Sequence, residues 1–346
     1  MSLLSEIPPL MKLLSTLTLG IAAASALLAN SAMAQQLSGA GASFPAPLYQ
    51  RWAVDYNKLH PDVQVNYQSV GSGAGVKQFT SATVDFAASD AAMSDTEIAA
   101  IKQGVVMIPA TAGSIVIAYN LPGVTDLKLS REAYSGIFLG TITTWNDPAI
   151  VKDNPGVKLP PIPITVATRS DGSGTTFVFT KHLAAINPDF AKKVGSDKTV
   201  PWPVGAGGKG NDGVTALIKQ SAGTVGYVEY GYASSNGLAM ASLQNKDGKF
   251  VAPTDASGAA TLANVQLPAN LRIWPEDPAG ADSYPIATFT WLLLYGNYTD
   301  AAKLKALKDF VHYGLTEGQK VAPSLGYIAL PAAVVEKSEA ALATVK

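Results

Sequence analysis

The sequence predicts an α/β fold, and three observations point to it. Short β-branched and apolar runs such as VQVNYQS (63–69), GSIVIAYN (113–120) and ITVATRS (164–170) alternate with stretches of helical periodicity. Glycine- and hydroxyl-rich loops stand at several strand-to-helix junctions. The 346 residues are 47% apolar, enough for a large core and, by length, for two domains or one large doubly wound sheet.

The first 34 residues read as an export signal. Met11-Lys12 gives a positive start, LLSTLTLGIAAASALLA (13–29) an apolar run, and Ala32-Met33-Ala34 the A-x-A cleavage pattern. The alternative for this run is a membrane anchor. The upstream MSLLSEIPPL carries Glu6 where positive charge belongs, so translation is expected to start at Met11. The chain has no cysteine, which excludes disulfides, thiolate metal sites and a lipid-modified N-terminal cysteine. A soluble, exported, periplasmic protein without a membrane anchor is expected.

Beyond the signal, APLYQRWAVDYNKLH (46–60) places Leu48, Trp52, Tyr56 and Leu59 at helical spacing, with Pro61 just after. In 63–69, Val63, Val65 and Tyr67 alternate onto one face of a strand. A short helix (GVKQFTSA) and a strand (VDFAAS, 84–89) follow. Helices are expected at 174–186, 211–220 and 300–315. IATFTWLLLY (286–295) is too short to span a bilayer and reads as a buried strand. No flexible linker separates two domains, so the chain is expected to pass between them in ordered segments near 109–114 and 283–288.

Charged residues make up 15% of the chain and the net charge is −1, so no basic field is available for nucleic acid. The three histidines, His60, His182 and His312, are isolated from one another and from other metal-ligand types, and read as surface or packing residues. Neither a metal nor a cofactor is expected.

Three loops share one character: GAGASFPAP (39–47), VGSGAGVKQF (70–79) and TRSDGSGTTF (168–177). Each places glycines and hydroxyls before a helix, whose first turn exposes unpaired N–H groups and a partial positive charge. Each is a potential anion seat, although any one alone reads as ordinary N-capping. None completes a nucleotide or nucleophile motif. Lys209-Gly210-Asn211 lacks the Gly-Lys-Ser/Thr of a P-loop, GSGAG lacks the dinucleotide spacing, and DGSGT is not G-x-S-x-G. Arg169 and Asp171 read either as a weak surface ion pair or as a guanidinium fork for an anion with its carboxylate partner.

Taken together, GAGASFPAP, VGSGAGVKQF, VDFAASDAAMSD, TRSDGSGTTFVFT, GGKGNDGV and GTVGYVEYGYA resemble the periplasmic phosphate-binding proteins of high-affinity phosphate ABC transporters. The motifs follow the family's order over most of the chain, with residues 250–282 matching least. The resemblance implies a two-lobed periplasmic binding protein fold of the second type, each lobe a mixed sheet flanked by helices. It implies a first lobe of 35–112 plus 287–346 and a second of 113–286. It further implies phosphate ligands at Ser43, where the family often has threonine, and at Phe44, Ser72, Asp90, Arg169, Ser173, Gly174 and Thr175. Asp171 would support Arg169. A monomer that binds inorganic phosphate (arsenate also fitting) and delivers it to a membrane permease is the expected partner set, with no catalysis.

Asp90 is the unusual member, because a carboxylate beside an anion is repulsive. An ionised carboxylate only accepts hydrogen bonds, so it suits a ligand that carries a proton. Phosphate does near neutral pH and sulfate does not. The alternative for Asp90 is a helix N-cap within SDAAMSD.

Overall fold

The protein is described here from a computed structural model, covering residues 34–263 and 265–346. The predicted signal segment lies outside the described residues except for Ala34.

The strands in chain order are β1 (Gln35–Gly41), β2 (Val63–Ser69), β3 (Phe86–Ser89), β4 (Val105–Asn120), β5 (Lys128–Leu129), β6 (Thr165–Arg169), β7 (Ala206–Gly208), β8 (Thr224–Glu229), β9 (Ala239–Met240), β10 (Ser242–Gln244), β11 (Phe250–Val251) and β12 (Ala287–Tyr295). The main sheet runs β2-β1-β3-β12-β4-β8-β6-β7, with β9 beside β4, and a small sheet runs β11-β10-β5. Within it β1 is parallel to β2 and β3, and β6 is parallel to β7 and β8. β12 and β4 run antiparallel to their neighbours. The sheet is therefore mixed, as expected.

The apolar run 286–295 becomes β12, central between β3 and β4, with all nine residues buried. A strand covered on both faces needs such a continuous run, not an alternating one. β4 changes partner along its length. Its residues from Val105 to Ser114 pair with β12, while Ile115 to Asn120 pair with β8. At the switch, Ile115 N–H donates to the Ile286 carbonyl at 2.9 Å, so the two stretches expected to link the domains lie side by side.

Helix Ala46–Leu59 buries Leu48, Trp52 and Tyr56 as its spacing predicts, but Leu59 is 64% exposed. The helix ends there, and the His60 ring that follows stacks on Tyr56 at 4.4 Å. Helix Ser72–Thr80 buries Val76 and Phe79, the latter stacked on Tyr295 at 4.1 Å. His182 is buried, which pushes its imidazole down to about 4 and keeps it neutral against Tyr134.

Between β11 and β12 a strap of chain contacts both Met93 and Trp291 on one side and Arg131 on the other. Its Leu271 carbonyl accepts from Trp291 Nε1 (2.8 Å), and its Arg272 donates to the Met93 carbonyl (3.0 Å). A few residues on, Asp277 pairs with Arg131 at 2.8 Å on the other side. No helix among the described residues is long and apolar enough to cross a membrane.

Candidate functional site

Every site residue predicted from the sequence follows or ends a parallel strand. Ser43 and Phe44 follow β1, Ser72 follows β2, Asp90 follows β3, and Arg169 ends β6 with Ser173, Gly174 and Thr175 just beyond. Loops at the carboxyl ends of parallel strands are where open α/β sheets gather a ligand site. Two groups of such loops face each other here, one from each lobe.

The three glycine- and hydroxyl-rich loops open helices at Ala46, Ser72 and Gly174. Gly71 adopts φ +89°, and a Cβ there would lie 2.2 Å from Asp171 Oδ2 of the facing lobe. The backbones also touch across the gap, where Gly73 N–H donates to the Gly172 carbonyl at 2.8 Å. Gly174 meets the opposite lobe still more closely. A Cβ on it would stand 2.5 Å from Ser72 Oγ and 2.6 Å from Asp90 Oδ2.

Arg169 is buried, so its pair with Asp171 is not a surface contact. Its Nε donates to Asp171 Oδ1 at 2.8 Å and its terminal nitrogen to Oδ2 at 2.6 Å, a two-point fork rather than a loose surface contact. Burial works to raise the Asp171 carboxyl, but the Arg169 hydrogen bonds and charge, with the Gly210 N–H, outweigh it and hold it below its ordinary value. The other guanidinium nitrogen reaches Thr175 Oγ1 at 3.4 Å.

The four hydroxyls have one polarity. Ser43 Oγ accepts from Asn211 N (3.1 Å) and Nδ2 (2.9 Å). Ser72 Oγ accepts from Asp90 N–H (3.3 Å), and Ser173 Oγ caps its helix by accepting from Thr176 N–H (3.0 Å). Thr175 Oγ1 accepts from Arg169 and from Asn211 Nδ2, both at 3.4 Å. Among the described residues, none of these four hydroxyls donates to a protein acceptor. All four are buried, and each keeps its hydrogen available as a donor.

Asp90 has the opposite character. Its Oδ1 accepts from Thr290 Oγ1 at 2.8 Å, while its buried Oδ2 has no protein donor among the described residues. Burial pushes its carboxyl up to about 7, opposed by the Thr290 bond and the Arg169 charge and assisted by Asp171. Asp90 is not a helix cap. Ser94 caps the following helix, with Glu97 completing the capping box.

Four contributors escaped the sequence reading: Thr290, Asn211, Tyr232 and Glu229. Thr290 interrupts the apolar β12, and a polar residue inside such a run was the available signal. Asn211 lies in GGKGNDGV, whose first helical turn was open to notice. Tyr232 donates its hydroxyl to the Ser43 carbonyl at 2.7 Å. Glu229 lies buried behind Asn211, and burial raises its carboxyl well above the ordinary range despite N–H bonds from Gly231 and Tyr232.

Comparison with known proteins gives the family and the fold. The family profile of the PBP superfamily domain matches residues 29–316. The phosphate-binding protein PstS of Pasteurella multocida is 43% identical over 316 residues, covering 90% of this chain and 91% of the relative. PstS of Haemophilus influenzae is 43% identical over 308 residues, covering 88% and 91%. Among solved structures, a high affinity periplasmic phosphate-binding protein (PfluDING) bound with phosphate superposes with a TM-score of 0.73 at 24% identity, covering 88% of this chain and 93% of that one. A phosphate-binding protein from Stenotrophomonas maltophilia gives 0.72 at 23% identity, with the same coverage. The chain belongs to the PstS phosphate-binding protein family, within the PBP superfamily.

Proposed function

We propose that the protein captures inorganic phosphate between its two lobes and delivers it to the membrane permease of a phosphate ABC transporter. The observation that carries this reading is the polarity of the site. Four buried hydroxyls have their oxygens occupied by N–H donors, and the buried Asp90 Oδ2, against Gly174 of the other loop group, is left as an acceptor. That set fits an oxyanion that takes several donors and still offers one proton, as phosphate does. Ser43, Phe44, Ser72 and Asp90 supply one half of the clamp, and Arg169, Ser173, Gly174 and Thr175 the other. Asp171 holds the guanidinium. The PstS names of the relatives and the phosphate bound in the PfluDING structure support the same ligand.

The clamp works by binding and not by turnover. A nucleophilic hydroxyl needs a base to receive its proton. These hydroxyls meet donors on the oxygen instead. Closure of the lobes completes the contacts, excludes water and strengthens each hydrogen bond. We assign 35–112 plus 287–346 to the first lobe and 113–286 to the second, a division supported by the change of partner along β4 and by the bond from Ile115 to Ile286. The strap before β12 then belongs to the second segment while reaching over the first. We further place the mature chain in the periplasm, starting at Gln35 after signal cleavage. N-terminal sequencing of the exported protein checks that start.

Titration with phosphate, arsenate and sulfate, followed by tryptophan fluorescence, tests the ligand. Phosphate is expected to saturate with a dissociation constant of about micromolar or below, roughly −8 kcal/mol. Arsenate, which also carries a proton, is expected to compete, and sulfate to fail at pH 8. No response to phosphate would overturn the assignment.

A further inference from the structure

Asn211 is fully buried, follows β7 and is the second residue of helix Gly210–Gln220. Its Oδ1 accepts from the Glu229 backbone N–H at 2.9 Å. That N–H can only donate, which fixes the amide orientation and leaves Nδ2 facing Ser43. Both Nδ2 (2.9 Å) and the Asn211 backbone N–H (3.1 Å) then donate to Ser43 Oγ, in the opposite lobe. The same Nδ2 reaches Thr175 Oγ1 at 3.4 Å.

We propose that Asn211 is a closure-dependent positioning residue, which turns Ser43 into an obligate donor only when the lobes meet. This rests on the reading that the site holds phosphate. A hydroxyl has two acceptor positions and one hydrogen. With both positions taken by Asn211, Ser43 can use its hydrogen only as a donor toward the ligand. In an open cleft those two bonds break, and the Ser43 hydroxyl is free to rotate and to pair with water. Closure therefore sets the polarity of Ser43 in the same step that brings the second lobe to the anion. The contact from Tyr232 to the Ser43 carbonyl holds the backbone of the same residue from the same lobe.

A double-mutant cycle on the full chain tests this, with phosphate affinity measured by calorimetry. Asn211→Ala is expected to weaken phosphate about tenfold in the native background, in line with coupling through a shared hydrogen bond. In a Ser43→Ala background the same change is expected to cost no more than about twofold. Ser43→Thr, which keeps the hydroxyl, is expected to retain the full Asn211 effect. Asn211→Ser provides a smaller perturbation should the alanine variant fail to fold, and thermal melting of each variant reports on that. Additive losses in the cycle, or an Asn211 variant that binds phosphate like the native chain, would overturn the inference. A native protein that does not bind phosphate would instead overturn the functional reading on which it stands.

Discussion

Thr290 Oγ1 donates to Asp90 Oδ1 at 2.8 Å, between two fully buried side chains 200 positions apart in sequence. The bond occupies one carboxylate oxygen and leaves Oδ2 beside Gly174 as the acceptor presented to the cleft. On the proposed reading, Thr290 thus decides which oxygen is offered to phosphate. Thr290→Val removes the donor while keeping the shape. Because the Thr290 bond favours the ionised form, its loss is expected to move the Asp90 carboxyl above its value of about 7. Phosphate affinity at pH 8 is expected to fall about tenfold, the usual scale for a hydrogen bond to a charged group. Thr290→Ser should recover most of it. Calorimetry on both variants checks the pair, and equal losses in the two would remove the role of the hydroxyl.

Asp90 also predicts a pH-dependent selectivity. Burial raises its carboxyl to about 7, against the Thr290 bond and the Arg169 charge and with the Asp171 charge. Above that pH it only accepts, and a fully deprotonated oxyanion meets repulsion. Below it the carboxyl carries a proton and can donate. Sulfate binding is therefore expected to appear as pH falls from 8 to about 5.5, while Asp90→Asn admits sulfate across the whole range. Sulfate excluded equally at both pH values would show that Asp90 does not carry the discrimination.

The same carboxyl links folding to pH. Its folded value of about 7 lies above the ordinary 3.8, so the folded state binds the proton more tightly than the unfolded state. That contribution to stability is complete below 3.8 and is lost as pH rises through about 7. Asp90→Asn removes the burden of a buried ionised carboxylate. Because the ligand-free lobes open and relieve part of this burial, the ligand-free variant is expected to be more stable than the native chain at pH 8 by only on the order of 1 kcal/mol, with the difference shrinking toward pH 4. Thermal melts across that range measure it.

The sequence shows the site more fully than the scaffold that holds it. The loops around Ser43, Ser72 and Arg169 announce themselves through glycines, hydroxyls and helix starts close together in the chain. β12 is equally plain, since its nine consecutive buried residues are apolar but for Thr288 and Thr290. β1 is not, because QQLSGAG has little strand propensity and extends only through pairing with β2 on one side and β3 on the other. Thr290, Asn211 and Tyr232 act on residues 168 to 200 positions away. A polar residue within an apolar run marks Thr290 as unusual, but nothing local tells which distant residue such a group will meet. Leu59 shows the reverse, an apolar residue at the right spacing whose helix ends too soon to bury it.

Arg169→Lys tests whether the fork matters beyond its charge. Lysine keeps the positive charge but cannot hold both Asp171 oxygens at once. The Arg169 side chain is almost wholly buried, so a mispointed ammonium has little water to compensate it. Phosphate affinity is expected to fall about 100-fold, and Asp171→Asn, which leaves the guanidinium in place, about tenfold. Equal binding by Arg169→Lys and the native chain would reduce Arg169 to a simple point charge.

Gly174→Ala separates closure from folding. Gly174 is the first residue of its helix, where alanine is at least as favourable as glycine. The added methyl would nevertheless lie 2.5 Å from Ser72 Oγ and 2.6 Å from Asp90 Oδ2, both in the other lobe. Neither neighbour can move easily, because Ser72 holds Asp90 N–H and Asp90 is held by Thr290. Open lobes do not bring these atoms together, so the ligand-free protein should melt at or slightly above the native temperature. Phosphate affinity should fall by about 100-fold or more, because the closed form pays the overlap. Small-angle scattering should then show no compaction at saturating phosphate, where the native chain contracts. Native affinity in Gly174→Ala would mean that the lobes do not close on phosphate through this contact.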